Sequence, residues 1–154
     1  RINSMALTHK MLYQSENVVS IKYDVYLKEL IKNLIFAFKG ENNKITTNLE
    51  VNELEIDIEN AIPLGLLFTE LITNSLKHAF VANSSGHIYL KIKSNNNFIT
   101  EIEYGDNGIG FDFESASKNS LGLTLISELV IQLKGKISNL NKEKGSNITI
   151  TINQ

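Results

Sequence analysis

Hydrophobic residues recur with the spacing of an α-helix in four segments of the chain. These segments are residues 2–13, 24–39, 60–80 and 121–133. We expect Asp24 to cap the second helix at its amino end and Gly40 to follow its last turn, because both residue types are frequent at those positions. Pro63 is expected within the first turn of the third helix, where a missing backbone N–H removes no hydrogen bond.

Apolar and polar residues alternate in six other segments, which is typical of β-strands with one buried face. The predicted strands are residues 45–51, 54–58, 88–92, 98–104, 136–140 and 147–152, and a further short apolar piece covers residues 18–21. Asn52 and Glu53 are expected to form a tight turn between the first two strands, and turns at 94–97 and 142–146 are expected to join the other pairs. Because hairpin turns join antiparallel strands, the predicted fold class is an α/β two-layer sandwich, with a mixed, largely antiparallel sheet covered on one face by helices.

Composition and charge narrow the class of protein. The chain has 154 residues, of which 42% are hydrophobic and 21% charged, so one globular domain is expected. Its net charge of -2 lacks the basic excess of a general nucleic-acid or membrane-surface binder. There is no Cys, and His9, His78 and His87 are too far apart in sequence to show the spacing of a metal site.

No segment indicates a membrane span or a signal peptide. The longest apolar run, residues 61–68, is too short to cross a bilayer. We therefore expect a soluble, cytoplasmic domain in a reducing compartment, without nucleic-acid or membrane contacts of its own. Because the chain begins at Arg1 and not at Met, we interpret it as part of a longer protein.

The third predicted helix carries two different faces. One is a continuous apolar stripe suited to packing on a sheet, formed by Leu64, Leu67, Phe68, Leu71, Ile72, Leu76 and Ala79. On another side Glu70, Asn74 and either Lys77 or His78 follow at three- or four-residue spacing, along one line. A solvated polar face is the commoner interpretation for this helix alone. A ligand-binding line is the other, because a carboxylate, an amide oxygen and a cation can order a water, bind Mg²⁺ and neutralise phosphate.

Two glycine-containing segments follow. The string DNGIG at 106–110 is either an ordinary turn or a ligand-binding loop. In the second interpretation the glycines let the backbone approach a ligand, and Asp106 offers an acceptor for an exocyclic amine. The string SLGL at 120–123 opens the fourth helix, with Ser120 expected as its N-cap and free N–H groups suited to phosphate. Neither segment has the spacing of a Walker A loop or of a Rossmann fingerprint.

Taken in order, these motifs resemble the four nucleotide-binding boxes of the GHKL, or Bergerat, ATP-binding fold. The resemblance rests on Glu70-x-x-x-Asn74-x-x-Lys77-His78-Ala79, Asp106-x-Gly108-x-Gly110, Leu121-Gly122-Leu123 and Gly145-Ser146. More narrowly, the strings ELITNSLKHAF, DNGIGFD and SLGLTLISELVIQLKGKI resemble the catalytic domain of sensor histidine kinases. Residues 1–15, RINSMALTHKMLYQS, resemble the end of the dimerisation segment in kinases of the second HisKA type, close to the HWE kinases.

The resemblance implies roles for the polar residues of the third helix. Asn74 would be a ligand to an Mg²⁺ ion that bridges the phosphates of ATP. Lys77 would contact phosphate, and His78 would lie near the ribose or the phosphates. Glu70 would be the base or polarising residue. These roles imply phosphoryl transfer, in which positioning and charge neutralisation supply most of the catalysis.

The resemblance also implies a nucleotide pocket. Asp106 would accept a hydrogen bond from the adenine amino group, with Gly108 and Gly110 keeping the pocket floor close, and Ser146 would sit near the base. The backbone donors to the phosphates would come from Ser120, Leu121, Gly122 and Leu123. Only residues 111–119 separate two of the boxes, so the ATP lid is short, and Ser146 stands where Thr is commoner.

Two parts of a sensor kinase are expected in the chain: residues 1–17 as the end of the dimerisation and phosphoacceptor segment, and residues 18–154 as the ATP-binding catalytic domain. The acceptor histidine of the family lies in a string His-Arg-x-Lys-Asn, which does not occur here, and His9 is interpreted as packing at a helix edge. We therefore expect the chain to bind Mg·ATP and to phosphorylate a histidine elsewhere. The expected partners are the phosphoacceptor helices of a homodimeric parent kinase, which can be membrane-anchored, and a response regulator.

Two other functions stay open. An anti-sigma-factor serine kinase or switch protein resembles this domain, but normally lacks the dimerisation remnant that residues 1–15 resemble. A non-catalytic interaction module is the alternative from another class. The presence of Glu70, Asn74 and Asp106 together with the glycines disfavours it, since a module that does not bind ATP would not need this set.

Overall fold

A five-stranded sheet with helices packed on one face forms the centre of the molecule, in a computed structural model that describes residues 20–80, 84–109, 121–141 and 146–153. The helices are α1 (Tyr23–Lys39), α2 (Ile58–Asn74) and α3 (Leu121–Gln132), and a π-helical turn, Ser75–Ala79, continues α2. The strands are β1 (Ser20–Lys22), β2 (Ile45–Glu50), β3 (Glu55–Asp57), β4 (Gly86–Asn95), β5 (Phe98–Asp106), β6 (Gly135–Asn141) and β7 (Ser146–Ile152). The predicted helix at 2–13 falls outside these residues.

The five-stranded sheet has the order β2-β4-β5-β7-β6. Strand β2 runs parallel to β4, and the other three neighbouring pairs are antiparallel. The predicted fold class, a two-layer sandwich with a mixed and largely antiparallel sheet, is confirmed. The four predicted strands at 88–92, 98–104, 136–140 and 147–152 are confirmed as well, each somewhat longer than predicted.

The predicted hairpin at Asn52 and Glu53 is wrong. Strand β3 pairs with β1 in a separate two-stranded sheet, in which Ile56 lies opposite Ile21. Strand β2 instead occupies the edge of the large sheet beside β4. Alternation identified both strands correctly, but it carries no information on which partner a strand takes, and in the structure Ile56 is buried.

One face of the large sheet supplies the core. On β4 the side chains of Ile88, Leu90 and Ile92 are buried, whereas Lys91 and Lys93 lie on the opposite, open face. There Lys93 Nζ is 2.9 Å from a carboxylate oxygen of Glu101. Because polar pairs cover this face, helices are needed on the other face only. The apolar stripe predicted on α2 is buried in that layer throughout: Leu64, Leu67, Phe68, Leu71, Ile72, Leu76 and Ala79.

The helix ends agree with the sequence in part. Gly40 follows α1 with φ of 78°, and its N–H donates to the carbonyl of Phe36 at 2.9 Å, as predicted. Asp24 is not the N-cap: α1 begins at Tyr23, and Asp24 accepts a hydrogen bond from the Leu54 N–H at 3.4 Å. Pro63 is not in the first turn either, since α2 begins at Ile58 and not at Asn60. The carbonyl that loses its partner belongs to Glu59, which is exposed and can bind water instead.

The predicted turn at 94–97 is confirmed as a two-residue hairpin loop between β4 and β5. Asn96 and Asn97 both have positive φ, 50° and 65°, and Asn95 pairs with Phe98 across the loop. Two consecutive positive φ values are the signature of a type I′ turn, for which Asn is well suited. Within the described part of the chain, no helix combines the length and the apolar character needed to cross a bilayer.

Candidate nucleotide-binding site

Asp106 lies where strand β5 meets the end of the α2 helix. It is the last residue of β5, and its side chain is only 5% exposed. Its carboxylate is held from two sides. Ser75 Oγ donates to Oδ2 at 2.6 Å, and the Gly108 N–H donates to Oδ1 at 2.9 Å. The predicted turn chemistry of the DNGIG string is thus present, but it serves to fix a buried carboxylate.

A buried hydroxyl pair continues this network into the core. Ser75 Oγ lies 2.6 Å from the hydroxyl oxygen of Tyr104, and both residues are almost fully buried. Burial raises the pKa of the Tyr104 hydroxyl far above its ordinary value, and the hydrogen bond with Ser75 opposes that shift only in part. Tyr104 therefore stays protonated and donates a hydrogen bond to Ser75 Oγ. Ser75 in turn donates a hydrogen bond to Asp106.

The loop after β5 is attached to both neighbouring elements. The Ile109 N–H donates to the carbonyl of Ala79 at 2.9 Å, and His87 and Asn107 exchange two hydrogen bonds, at 2.8 and 3.1 Å. A Cβ atom added at Gly108 would lie 2.4 Å from the Ala79 carbonyl oxygen. Glycine at this position is therefore required by close approach to the helix.

The four polar residues predicted to form one line on the third helix do not share one environment. Glu70 is buried with 3% exposure, Asn74 is half-buried, and Lys77 and His78 are exposed. Lys77 and His78 follow the end of α2 at Asn74, where the wider π-helical turn changes the direction of the side chains. The solvated-face interpretation is wrong for Glu70, whose carboxyl group is buried and has an interaction partner.

Lys77 projects from the π-helical turn beside helix α1. Its ammonium nitrogen lies 5.6 Å from the centre of the Phe38 ring, within cation–π range. His78 is exposed beside it. Both residues lie in the π-helical turn that continues α2.

Asn74 is the residue that best fits a magnesium ion. Its side-chain nitrogen is buried and has no hydrogen-bond partner. A half-turn about the Cβ–Cγ bond exchanges the amide nitrogen and oxygen, so this buried end can present an oxygen ligand. In the part of the chain that the structure describes, no three His, Asp or Glu side chains cluster as a metal site. A single neutral oxygen suits Mg²⁺ that is held mainly by phosphates and water.

The structure describes part of the segment predicted to bind the phosphates, and it describes the backbone of Ser146, predicted to lie near the base. Leu121, Gly122 and Leu123 form the first turn of α3, so their N–H groups lack partners within the helix. Ser146 begins β7 and is the register partner of Asp106, which brings the two residues side by side across the sheet. Gly110 and Ser120 are not among the described residues.

A second polar contact holds β5 from the open face of the sheet. The ring of Tyr89 lies against Gly105, where an added Cβ would be 2.5 Å from ring atoms, and the Tyr89 hydroxyl donates to Asn147 Oδ1. Gly105 lies opposite both residues in the strand registers. Gly105, the strand residue next to Asp106, is therefore in contact with Tyr89 on the open face of the sheet.

Sequence reasoning missed Ser75 and Tyr104. In the sequence, Ser75 is an isolated polar residue within the predicted third helix, and Tyr104 is the last residue of a predicted strand. Neither position indicates a functional role. The available signal was periodicity: Ser75 continues the buried positions Leu71 and Ile72, where an unpartnered hydroxyl would be costly. A buried hydroxyl at such a position indicates a partner elsewhere in the fold.

Comparison with known proteins agrees with this geometry. The sheet and helices match the histidine kinase domain of a blue-light-activated histidine kinase from Erythrobacter litoralis, with a TM-score of 0.79 and 22% identity, covering 98% of this chain and 76% of that one. They also match the histidine kinase AdeS of Acinetobacter baumannii, with a TM-score of 0.62 and 17% identity, covering 98% of this chain and 75% of the other. These likenesses show that this chain shares the fold of both structures.

The chain belongs to the histidine kinase-, DNA gyrase B- and HSP90-like ATPase family, whose model matches residues 59–154. A second model, described as histidine kinase, matches residues 1–38. Membership of this ATPase family implies ATP as the nucleotide that the domain binds.

Two relatives extend the comparison. Blue-light-activated histidine kinase 2 of Erythrobacter litoralis is 30% identical over 108 residues, which cover 69% of this chain and 30% of the relative. Sensor histidine kinase PdtaS of Mycobacterium tuberculosis is 24% identical over 161 aligned positions, covering 99% of this chain and 31% of the relative. The chain thus spans about a third of the length of these curated relatives.

Proposed function

We propose that this chain is the ATP-binding catalytic region of a protein histidine kinase in a two-component pathway. In the reaction, the bond between the γ-phosphorus of ATP and its bridging oxygen breaks, and a phosphorus–nitrogen bond to a histidine forms, leaving ADP. The observation that carries the proposal is the buried carboxylate of Asp106, held by Ser75 and Gly108 at the junction of β5 and the α2 helix. A buried, fixed acceptor suits the amino group of adenine.

The proposed roles follow the environments of the residues. Asp106 accepts the hydrogen bond from adenine, while Gly108 and Gly110 let the backbone approach the base and Ser146 lies beside it. The first turn of α3 offers N–H groups to the phosphates from Leu121, Gly122 and Leu123, with Ser120 preceding it. Glu70, buried in the helical layer, orients the attacking imidazole or accepts its proton.

The cationic side is proposed to neutralise the phosphates. Lys77 leaves its position over Phe38 to reach them, and His78 lies close to the ribose or the phosphates. Asn74 would hold Mg²⁺ through its amide oxygen. When bound, the ion supplies positive charge that stabilises the phosphoryl group during transfer.

The acceptor is proposed to lie on another segment. We propose residues 1–17 as the end of the dimerisation and phosphoacceptor segment and residues 18–154 as the catalytic domain. His9 is followed by Lys10-Met11-Leu12, and the His-Arg-x-Lys-Asn string of the resembling family is absent. The substrate would thus be a histidine on the phosphoacceptor helices of a homodimeric parent kinase, and a response regulator would receive the phosphoryl group afterwards.

Calorimetric titration of the purified chain with a non-hydrolysable ATP analogue, with and without Mg²⁺, tests the proposal. We expect binding that strengthens with Mg²⁺, and at a hundred times the dissociation constant a gain of about 2.7 kcal/mol in unfolding free energy. Absence of binding under both conditions would favour a non-catalytic interaction module. In a second assay with labelled ATP, acid-labile phosphohistidine on His9 would overturn the proposed separation of catalytic domain and acceptor.

A second candidate is an anti-sigma-factor serine kinase. It is favoured by 24% identity over 95 residues to the anti-sigma F factor of Priestia megaterium, covering 60% of this chain and 65% of that protein. The match of residues 1–38 to a histidine kinase model supports the first candidate. The chemical stability of the phosphorylated product separates the two, because phosphoserine survives acid and phosphohistidine does not.

A further inference from the structure

We propose that Ser75, held in place by Tyr104, sets the preference of the site for a purine that carries a 6-amino group. The inference rests on the proposed function, in which Asp106 accepts a hydrogen bond from adenine. It adds two positioning residues, neither of which contacts the nucleotide, to the residues of the site.

The donor is determined in each of the three hydrogen bonds that link Gly108, Ser75 and Tyr104 to the Asp106 carboxylate. The Gly108 N–H can only donate, so Asp106 Oδ1 accepts. Ser75 has a single proton, which it donates to Oδ2 at 2.6 Å. Tyr104, 2.6 Å from Ser75 Oγ, must then be the donor in that pair. A chain of donors thus runs from Tyr104 through Ser75 to Asp106.

This chain fixes the orientation and the chemical character of the carboxylate. Ser75 and Gly108 donate to different oxygens, so rotation of the Asp106 side chain would break a buried hydrogen bond, which is costly when no water can replace it. A carboxylate has an acceptor capacity of about four hydrogen bonds, more than these two donors use. A 6-amino group can use that capacity, whereas the 6-oxo group of guanine would place an acceptor against acceptors.

The location of Ser75 makes this connection possible. Ser75 is the first residue after Asn74, where α2 changes into the π-helical turn, and it is 1% exposed. The pair Ser75 and Asp106 is separated by 31 positions in sequence, and Tyr104 lies two residues before Asp106 on the same face of β5. The helix therefore contributes to base selection through a residue that faces the sheet, and not through its ligand-facing side.

Two nucleotides that differ in one group test the inference: ATP, and purine ribonucleoside triphosphate, which lacks the 6-amino group. Dissociation constants are measured by calorimetry for the wild-type chain, Ser75→Ala and Tyr104→Phe. We expect Ser75→Ala to weaken ATP binding about five- to tenfold and purine triphosphate binding less than about twofold. Tyr104→Phe should weaken ATP about two- to threefold, because the Ser75 hydroxyl remains but loses its own donor.

Ser75→Thr is the matched control, since it keeps the hydroxyl and should restore the preference for ATP even if its added methyl group lowers stability. Equal weakening of both nucleotides by Ser75→Ala would mean that Ser75 only supports the fold, and the inference would be wrong. Unchanged ATP affinity in folded Ser75→Ala, checked by thermal unfolding, would overturn it as well. A wild-type chain that binds neither nucleotide would instead overturn the proposed function, and this inference with it.

Discussion

The Ile109 N–H donates to the carbonyl oxygen of Ala79 at 2.9 Å, which joins the loop after β5 to the last residue of the π-helical turn. Between these partners Gly108 lies so close to Ala79 that no side chain fits. The helix end and the loop are therefore packed together as one unit, and the geometry of the proposed base-binding carboxylate depends on a backbone contact as well as on side chains.

Gly108→Ala should disrupt this unit. The new Cβ would lie 2.4 Å from the Ala79 carbonyl oxygen, so backbone must move, and we expect a loss of about 1–3 kcal/mol in unfolding free energy. Nucleotide affinity should fall by about tenfold or more, because Asp106 loses the donor geometry of the Gly108 N–H. Urea unfolding and calorimetry measure the two effects.

Gly40→Ala is the control for that variant. An alanine there meets no atom within 4 Å, but its backbone, with φ of 78° and ψ of -176°, lies in a region nearly restricted to glycine and costs about 1–3 kcal/mol. Stability should therefore fall while nucleotide affinity stays at the wild-type value. If Gly108→Ala behaved in the same way, the close approach at Gly108 would have no role in binding.

Asp106→Asn tests the acceptor itself. Loss of a charge-assisted hydrogen bond should cost about 1.5–3 kcal/mol, or roughly ten- to a hundredfold in ATP affinity, and the discrimination between ATP and GTP should decrease. Competition titrations with both nucleotides measure this. Unchanged affinity would show that the base is bound by other residues.

Asn74→Ala separates the metal from the fold. The side-chain nitrogen of Asn74 is buried without a partner, so its removal should change the unfolding free energy by less than about 1 kcal/mol. The Mg²⁺ dependence of nucleotide binding should weaken, because the proposed oxygen ligand is gone. Calorimetry at several Mg²⁺ concentrations measures it, and a retained full Mg²⁺ dependence would assign the ion to other ligands.

Alkaline pH should destabilise the protein through Tyr23. Burial, reinforced by the neighbouring Tyr26, raises the pKa of the Tyr23 hydroxyl well above its ordinary value of 10.0. The folded state thus holds this proton more tightly than the unfolded state, so the stabilisation is complete below about pH 10 and is lost as pH rises toward the folded pKa.

Tyr23→Phe provides the comparison. At neutral pH it should cost about 1–3 kcal/mol, because the carbonyl of Ala61 loses the hydroxyl that donates to it at 2.9 Å. Above about pH 10, its unfolding free energy should fall less steeply than that of the wild type, by up to about 1.4 kcal/mol per pH unit. Parallel slopes in urea unfolding between pH 8 and 11 would contradict the assignment.

Periodicity predicted most of the fold because burial on one face governs most of these elements. The alternation of Ile88, Leu90 and Ile92, and the apolar stripe of α2, correspond directly to buried positions. The pairing of β3 with β1 could not be predicted in this way, because a short strand with one buried residue, Ile56, shows no preference for a partner in its sequence.

The residues of the candidate site were predicted mainly from sequence motifs, and not from hydrophobic periodicity. Asp106 and Gly108 could be singled out because their residue types have special backbone or acceptor properties. Ser75 could not, since a lone serine in a helix is common and its partners, Tyr104 and Asp106, come from a distant strand. The π-helical turn was equally hidden, because a helical pattern in sequence does not distinguish the two windings over one turn.

The type I′ turn at Asn96 and Asn97 has a consequence for how the chain assembles during synthesis. Because the turn is short, β4 and β5 can pair as a local hairpin on the microsecond timescale of hairpin formation. This is far faster than a ribosome adds amino acids. Once Asp106 has left the ribosome, β2, β4 and β5 are all available for pairing. The β6–β7 pair, which is synthesised later, can then add to the exposed edge of β5. The strands β2, β4 and β5, which include Asp106, can therefore form before β6 and β7 complete the sheet beside them.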